Sequence, residues 1–554
     1  MIRIRVKLPD GSETEEKYEE GVTPEKIVTG LKKKPEHQIL ACLINNRNER
    51  LDKPVEEDSE VDLLDLRNSY GNMSYQMSLT LLYLKAVHDV LGNNTQVTIA
   101  NSLSKGLFTK IRSPLVNEES VNRIQKRMKE LVSLKLPVTE TYEDRDHMIR
   151  TLKKSGPVDE LRLFESAYDL QGAYICQLDD EKAFFYQHLL PDTSYLKLFE
   201  IRRYRNGVLL RFPQPYDPDH VPVFEEQRLL YEAFSEESHW DHLLGISSVT
   251  DLNEKVRSGN YLEMIELSEA LHEKKIAEIA ERIHDSGKRI VLIAGPSSSG
   301  KTTFAKRLCT QMRVTGLRPL YLGTDDYFID RDEMPAGPDG KRDFEDLSAV
   351  DTNLFTSQMN DLLAGKKVDL PEFDFITGKK IYGKRITSID ASQPIVIEGI
   401  HGLNPKLTEG IPDEQKFRIY ISPLTQLNID DHHRVPTTDA RMLRRLVRDY
   451  RTRGRSAAMT IDDWPNVRRG EEKNIFPYCN EADVFFNSQC QYELAVLKKY
   501  AEPLLKAIGN DEPEYPEAQR MLQFLAFFVS IQDDSVIANN SIIREFIGGS
   551  IVVN

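Results

Sequence analysis

Residues 288–312 read KRIVLIAGPSSSGKTTFAKRLCTQM, and this stretch decides the fold. Ile290 to Ala294 form an apolar run of buried-strand length, GPSSSGKT follows, and Phe304, Leu308 and Met312 then recur at helical spacing. Strand, glycine-rich loop and helix in that order are the context in which a backbone loop wraps phosphate. Gly295 and Gly300 let the chain turn so that amide groups and the helix N-terminus point at phosphate oxygens. The predicted nucleotide-binding set is therefore Gly295, Pro296, Ser297, Ser298, Ser299, Gly300, Lys301, Thr302 and Thr303. Lys301 brings a positive charge to the β- and γ-phosphates of ATP, and the Thr302 hydroxyl can ligate Mg²⁺.

A phosphate loop serves kinases, GTPases, motors and transporters alike, so the flanking segments must discriminate. PLYLGTDDYF at 319–328 reads as a second strand ending in two carboxylates. Asp325 is the expected general base for an attacking hydroxyl, with Asp326 as a neighbour assisting metal or water. PIVIEGIHGL at 394–403 reads as a third strand that brings Glu398 to the same carboxyl edge, where open α/β sheets bind ligands and where Glu398 can hold Mg²⁺ through water. Between Arg441 and Arg455 stand seven arginines in fifteen residues of an otherwise acidic chain. Guanidinium forks suit a migrating phosphoryl group, and a lid that closes over it excludes water. A solvated helix face is the expectation for two or three of the seven, such as Arg441 and Arg451.

Residues 286 to about 500 resemble the uridine kinase and phosphoribulokinase group, most nearly uridine/cytidine kinase. TDDYF resembles the family's Asp-Ser-Phe-Tyr, FEDLSAVD at 344–351 its Phe-Asp-x-Pro-x-Ala-x-Asp, and FDF at 373–375 its Tyr-Asp-Phe. Glu-Gly-Ile stands at 398–400, and RRLVRDYRTRGR carries the lid core at Arg448, Asp449, Arg453, Gly454 and Arg455. The resemblance implies transfer of the ATP γ-phosphate to the 5′-hydroxyl of a nucleoside, uridine or cytidine, as in pyrimidine salvage. It also implies Asp325 as base, Glu345 at the ribose hydroxyls and Phe373 at the nucleobase-stacking position. Arg448, Arg453 and Arg455 would clamp phosphates, with Arg445 near the acceptor. Two departures bear on the substrate. The family's pocket tyrosine is Phe373, and its histidine falls at Gly378, so a hydrogen bond to the pyrimidine edge is missing unless another residue supplies it.

Towards the N-terminus, Ile2, Ile4 and Val6 alternate with charged residues, a Pro-Asp-Gly turn follows, a helix is expected at Thr23–Lys33, and apolar runs recur at 39–44 and 61–66. Residues 1–66 thus resemble a TGS-type β-grasp domain. Helical signals at 74–91 and 119–134, followed by KLPVTETYEDRDHMIRTLKKSG at 135–156, make 67–235 similar to the α+β second additional domain of threonyl- and alanyl-tRNA synthetases, which removes mischarged amino acids. That family's His-x-x-x-His falls here on Met77 and Leu81, and no Cys-x-x-x-His follows, so the hydrolytic site is expected to be lost and the domain to act as scaffold or binding module. A helical connector is expected over 236–285, with Tyr261–His284 in apolar register and Asp-Ser-Gly as its stop. The P-loop domain would span 286–505 and a helical extension 506–554, with LQFLAFFVSI at 522–531 as a core helix. The fold class is α/β multidomain: a parallel-sheet P-loop NTPase domain preceded by a β-grasp and an α+β domain.

Composition sets the outer bounds. The chain has 554 residues, 29% of them charged, and a net charge of −15. Its length suggests three or four domains, and its acidity argues against a nucleic-acid binder over the whole surface. No apolar run approaches the roughly 18 residues of a membrane helix, and the N-terminus lacks the pattern of a secretory or transit signal. A soluble, cytoplasmic protein with no membrane partner is expected. The five cysteines lack paired spacing and read as buried free thiols. Asp430, Asp431, His432 and His433, being consecutive, read as a polar loop before the lid helix rather than a metal site. Two rivals to a nucleoside kinase remain: a kinase of another sugar or sugar-phosphate hydroxyl, for which Lys341 and Arg342 supply cations, and an RNA-associated regulator that senses nucleotide. The N-terminal half is alternatively an allosteric or oligomerisation module, and a homo-oligomer stays open.

Overall fold

The computed structural model describes residues 1–155, 157–334, 345–374 and 377–553. Phe344, Phe375, Lys341 and Arg342 lie outside the described residues.

The alternation at the N-terminus becomes a five-stranded sheet in the order Glu13–Tyr18, Ile2–Lys7, Ser59–Asp65, Ile39–Ile44, Arg47–Glu49. Ile2, Ile4 and Val6 face its core while Arg3, Arg5 and Lys7 face solvent. The first strand pairs parallel with Ser59–Asp65, a link made possible by the crossover helix Pro24–Gly30, which Thr23 caps. That helix is shorter than the expected 23–33.

Asn68 then caps the long helix Ser69–Leu91. It packs with Glu118–Ser133 between a four-stranded antiparallel sheet, in the order Glu200–Tyr204, Gly207–Arg211, Gly106–Arg112, Gln96–Leu103, and the three-stranded sheet of Glu181–Phe185, Gly172–Leu178 and Val138–Asp144. Met77 is partly buried against this core and Leu81 wholly buried in it. Three helices follow, Arg228–Leu244, Val249–Ser258 and Tyr261–Ser286, the last ended by Gly287 in the left-handed region (φ 65°).

The apolar run 290–294 is the central strand of a five-stranded parallel sheet, ordered Leu320–Gly323, Ile395–Glu398, Ile290–Ala294, Lys416–Ser422, Val484–Asn487. A strand buried on both faces reads as a continuous hydrophobic run, and all five residues of this one are buried. The carboxyl ends of the first three strands in that order deliver Gly323, Glu398 and Gly295 to one edge. The expected second strand stops at Gly323, and Asp325 and Asp326 ride on the 3₁₀ turn Thr324–Tyr327 that follows. A hairpin of Val368–Asp374 and Lys379–Thr387 stands beside that edge, and the helix Thr437–Arg453 carries six of the seven arginines over it.

The run 522–531 departs from the expected helix. Helix Tyr515–Leu525 ends inside it, because neighbouring residues replace the helical ladder for the next backbone groups. Asn253 bonds Phe527 O (2.8 Å) and Val529 N (2.8 Å), Lys498 Nζ donates to Phe528 O (2.7 Å), and Ile531 N donates to Ala495 O (3.0 Å). Residues 526–543 then run as turns, with Phe527, Phe528, Ile537, Ile542 and Ile543 buried in the core that includes the P-loop helix. All five cysteines are free and buried. Among the described residues no helix is long and apolar enough to cross a membrane.

The polar loop at 430–433 joins the two halves. Asp430 accepts from His433 Nδ1 (2.8 Å), which shapes the loop. Asp431 accepts from Thr98 Oγ1 (3.0 Å), Gln96 Nε2 (2.8 Å) and, through its carbonyl, Ile99 N (2.7 Å). The helix Thr437–Arg453 thus begins a few residues beyond a hydrogen-bonded seam with the strand Gln96–Leu103.

Candidate active site at the phosphate loop

The loop from Gly295 to Gly300 is bent by sterics. A Cβ on Gly295 would lie 2.0 Å from Ile421 O, and Gly300 has φ +81°. Ser298 also adopts positive φ (60°), a conformation that non-glycine residues hold only when the surroundings impose it. Lys301 folds back over the loop, donating to Gly295 O (3.0 Å) and Pro296 O (3.1 Å). Burial lowers the pKa of its ammonium, against the attraction of Glu398, Asp325, Glu545 and Glu345. The Ser298 and Ser299 hydroxyls are buried and have no protein partner. A buried polar atom without a partner costs about 1–3 kcal/mol, so two on one loop mark a cradle for a polar ligand.

Thr302 Oγ1 donates to Glu398 Oε1 (2.9 Å), which also accepts from Tyr321 OH (3.1 Å). The two predicted metal residues therefore meet. A hydroxyl and a carboxylate beside a phosphate cradle are the oxygen donors Mg²⁺ takes, so the residues present fit that ion. Burial raises the pKa of Glu398, helped by Asp325 and opposed by Lys301.

The paired acids are unequal. Asp326 is engaged by Arg385 Nη1 (2.6 Å) and by Phe373 N (3.4 Å), which fastens the hairpin to the sheet edge. Asp325 faces the cleft, exposed at its own surface while set among ionised neighbours. Its carboxyl is shifted up, by desolvation first and then by Asp326, with Lys301 and Arg453 opposing. Solvent reaching the cleft tempers that shift.

Glu345 approaches from the far wall. Gly470 is required there, since a Cβ on it would lie 2.7 Å from Glu345 Cβ. Burial pushes the Glu345 carboxyl up to about 7, with Arg445 pulling down and Glu471 adding to the rise. Phe373 is only 5% exposed, with its ring edge-on to Phe328 at 5.6 Å. Gly378 has φ +70°, and a side chain there would meet Arg331 at 2.7 Å. The space in which the resemblance places a histidine is thus lined by the Arg331 side chain.

The lid arginines divide into two groups. Arg441 is a correction: it is 1% exposed rather than solvated, bonding Ser297 O (3.0 Å) and pairing with Glu471, whose carboxylate also accepts from Ser297 N (3.2 Å). A guanidinium enters the core only with such a partner. Arg444 is likewise buried, with Glu493 (2.5 Å), Ser488 O (2.8 Å) and Ser298 O (3.3 Å). Arg445, Arg448 and Arg453 converge on the buried Asp449 at 3.5, 2.7 and 3.6 Å. Arg445 also reaches Ser297 Oγ (2.8 Å) and Asp463 (3.0 Å), and Arg455 shares Asp463 at 3.3 Å. Arg441, Arg444 and Arg445 therefore touch the loop, while Arg445, Arg448, Arg453 and Arg455 share the carboxylates of Asp449 and Asp463. Asp463, Glu471, Glu493 and Glu545 were missed by sequence reasoning. Glu471, in RRGEE at 468–472, Glu493 and Glu545 lie far along the chain from their partners and leave no local signal.

The sequence is similar to known proteins in two parts. Residues 290–495 match the model of the phosphoribulokinase/uridine kinase family. Over 208 residues it is 27% identical to a uridine kinase of Ligilactobacillus salivarius, covering 37% of this chain and 88% of that one. Over 203 residues it is 27% identical to a threonine–tRNA ligase of Syntrophotalea carbinolica, covering 36% of this chain and 31% of the ligase. The chain thus spans about a third of the length of that relative. The solved structure of a possible uridine kinase from Bacillus stearothermophilus aligns over 38% of this chain and 97% of its own at 21% identity and a TM-score of 0.27. One chain thus holds a segment similar to that kinase family and a segment similar to a threonine–tRNA ligase.

Proposed function

We propose that the protein is an ATP-dependent kinase that transfers the γ-phosphate to the 5′-hydroxyl of a nucleoside, with uridine and cytidine as first candidates. The observation that carries this reading is the meeting, at one sheet edge, of a phosphate cradle, the Thr302–Glu398 pair and the cleft-facing Asp325. Asp325 accepts the hydroxyl proton at a carboxylate oxygen, since Asp326 is committed to Arg385. Lys301 and the arginines hinged on Asp449 and Asp463 hold charge on the transferring group, and Glu345 and Phe373 line the acceptor side. Thr302 and Glu398 would hold Mg²⁺, which when bound neutralises phosphate charge.

A second reading, a kinase of another sugar or sugar-phosphate hydroxyl, is favoured by Arg331 beside Gly378, where a cation replaces a neutral hydrogen-bonding ring. The tRNA-ligase-like half acts in either case as a binding or allosteric module joined through Asp431. The test is a coupled ADP-release assay with ATP and Mg²⁺ against uridine, cytidine, adenosine, guanosine, inosine and ribulose 5-phosphate. Turnover of uridine or cytidine supports the first reading, and turnover of ribulose 5-phosphate alone moves the substrate. Absence of Lys301-dependent turnover with any acceptor overturns the kinase assignment.

A further inference from the structure

The last stretch of the chain returns to the phosphate loop. Ser541 Oγ donates to Glu269 Oε1 (2.6 Å), Arg451 donates to Glu545 O (2.9 Å) and Phe546 O (3.2 Å), and Lys306 Nζ donates to Val552 O (3.0 Å). Ile542, Ile543 and Phe546 are buried, and the Arg444 guanidinium lies over the Phe546 ring at 5.0 Å. Ile542 Cγ2 comes within 2.6 Å of where a Cβ on Gly300 would stand, so the segment rests directly on the loop's second glycine.

Between these anchors the Glu545 side chain is half-buried and points at the first turn of the helix Lys301–Val314. Its Oε2 accepts from Thr303 Oγ1 (2.5 Å) and from Thr303 N (3.3 Å). The first four amides of a helix have no intrahelical acceptor, and the helix dipole favours an anion there. In a phosphate loop those amides and the hydroxyl beside them receive the nucleotide's phosphates. Here a carboxylate from 242 residues along the chain already holds one such amide.

We propose that Glu545 is an internal phosphate mimic: the segment 534–553 straps the loop, and a nucleoside triphosphate must displace the Glu545 carboxylate from Thr303 to bind. This rests on the reading of the loop as a nucleotide site. Displacement requires a swing of one half-buried side chain, because the anchors on either side are buried apolar groups and backbone carbonyls that stay in place. The affinity for nucleotide is then lowered by the fraction of molecules in which Glu545 occupies the subsite. The C-terminal segment accordingly couples its own packing, including the Ser541–Glu269 contact, to nucleotide access.

The experiment is isothermal titration of the full chain with ATP, ADP and adenosine in Mg²⁺, comparing wild type with Glu545→Gln and Arg451→Ala. Glu545→Gln keeps the shape and removes the charge; Arg451→Ala releases the carbonyls of Glu545 and Phe546 and serves if the first variant fails to fold. Loss of a charged hydrogen-bond acceptor predicts about tenfold tighter binding of ATP and ADP by Glu545→Gln, a smaller gain for Arg451→Ala, and none for adenosine. Unchanged or weaker ATP binding in the variants overturns the mimic and leaves the kinase reading standing. An equal gain for adenosine also overturns it, since it would mark a widened base cleft rather than a freed phosphate subsite. Absence of nucleotide binding to every form overturns both readings.

Discussion

The phosphate-loop edge and the helix Ser69–Leu91 are both buried and both rich in hydroxyls, yet they treat polar atoms in opposite ways. On the helix, Ser74 bonds His188 O (2.9 Å), Ser78 bonds Ser74 O (2.6 Å), Thr80 bonds Gln76 O (2.9 Å) and Tyr83 pairs with Thr109 (2.8 Å). Positions 77 and 81, where the synthetase resemblance would place metal-binding histidines, are a methionine and a leucine packed into the core. At the phosphate loop the Ser298 and Ser299 hydroxyls are left without partners, and Arg445, Arg448 and Arg453 share the one carboxylate of Asp449. A region that satisfies itself is a scaffold. One that leaves hydroxyls unpaired on a glycine-rich loop has donors with which a polar ligand could compensate their desolvation.

Four substitutions would break or sharpen that contrast. The largest effect is expected from Lys301→Ala, which should lower kcat/KM by about 10³-fold with an unchanged melting temperature, as read by ADP release and thermal denaturation. Near-normal turnover would end the claim that the two regions differ in chemistry. Glu493→Ala strands the Arg444 guanidinium in the core and should cost about 3 kcal/mol of stability in chemical denaturation, because both groups of that pair are fully buried. Leu81→Ala should cost about 2–3 kcal/mol through the cavity it opens, while kcat of the folded protein stays put. A matching loss of turnover would show that the scaffold region takes part in catalysis. Asp431→Ala removes two side-chain hydrogen bonds across the seam and should cost about 1 kcal/mol. A change in nucleotide KM with that variant would give the N-terminal half a regulatory role.

Titration offers a fifth test. Glu345 has its folded pKa raised from 4.5 to about 7, so the native state binds a proton more tightly than the unfolded chain does. The stability this contributes is fully present below pH 4.5 and is lost as pH rises towards 7. Relative to wild type, Glu345→Gln should therefore gain stability across that window, with a difference that levels off above it. A constant difference from pH 4 to pH 8 would show that Glu345 titrates normally.

Much of the kinase-like half was legible because its chemistry is written locally. A strand, a glycine-rich loop and a helix within 25 residues dictate one another through backbone sterics, and Lys301, Thr302 and the loop serines come with them. Glu398 could be placed from sequence because strand ends of a parallel sheet share an edge. The alternating strands at 2–6 and the glycine stop at 287 followed from period and backbone conformation alone. Asp325 is the expected base from the sequence, and the structure adds that Arg385, from the hairpin, pairs with Asp326.

Tertiary structure decided the rest, for one physical reason: burial of a charge depends on a partner that can come from anywhere in the chain. Arg441 looks like a solvated helix residue until Glu471 arrives from the next helix to pair with it. The run 522–531 has the composition of a core helix, yet Asn253, Ala495 and Lys498 take over its backbone hydrogen bonds and release it into turns. No sequence pattern links Glu545 to Thr303, because the contact is made by folding the end of the chain across a loop 242 residues earlier. Local pattern is enough to read a strand, a glycine-rich loop and a helix over 290–314, because backbone sterics link near neighbours. Packing alone shows which acid Arg385 occupies, which arginines pair with buried carboxylates, and that Glu545 lies against Thr303, because those partners come from far along the chain.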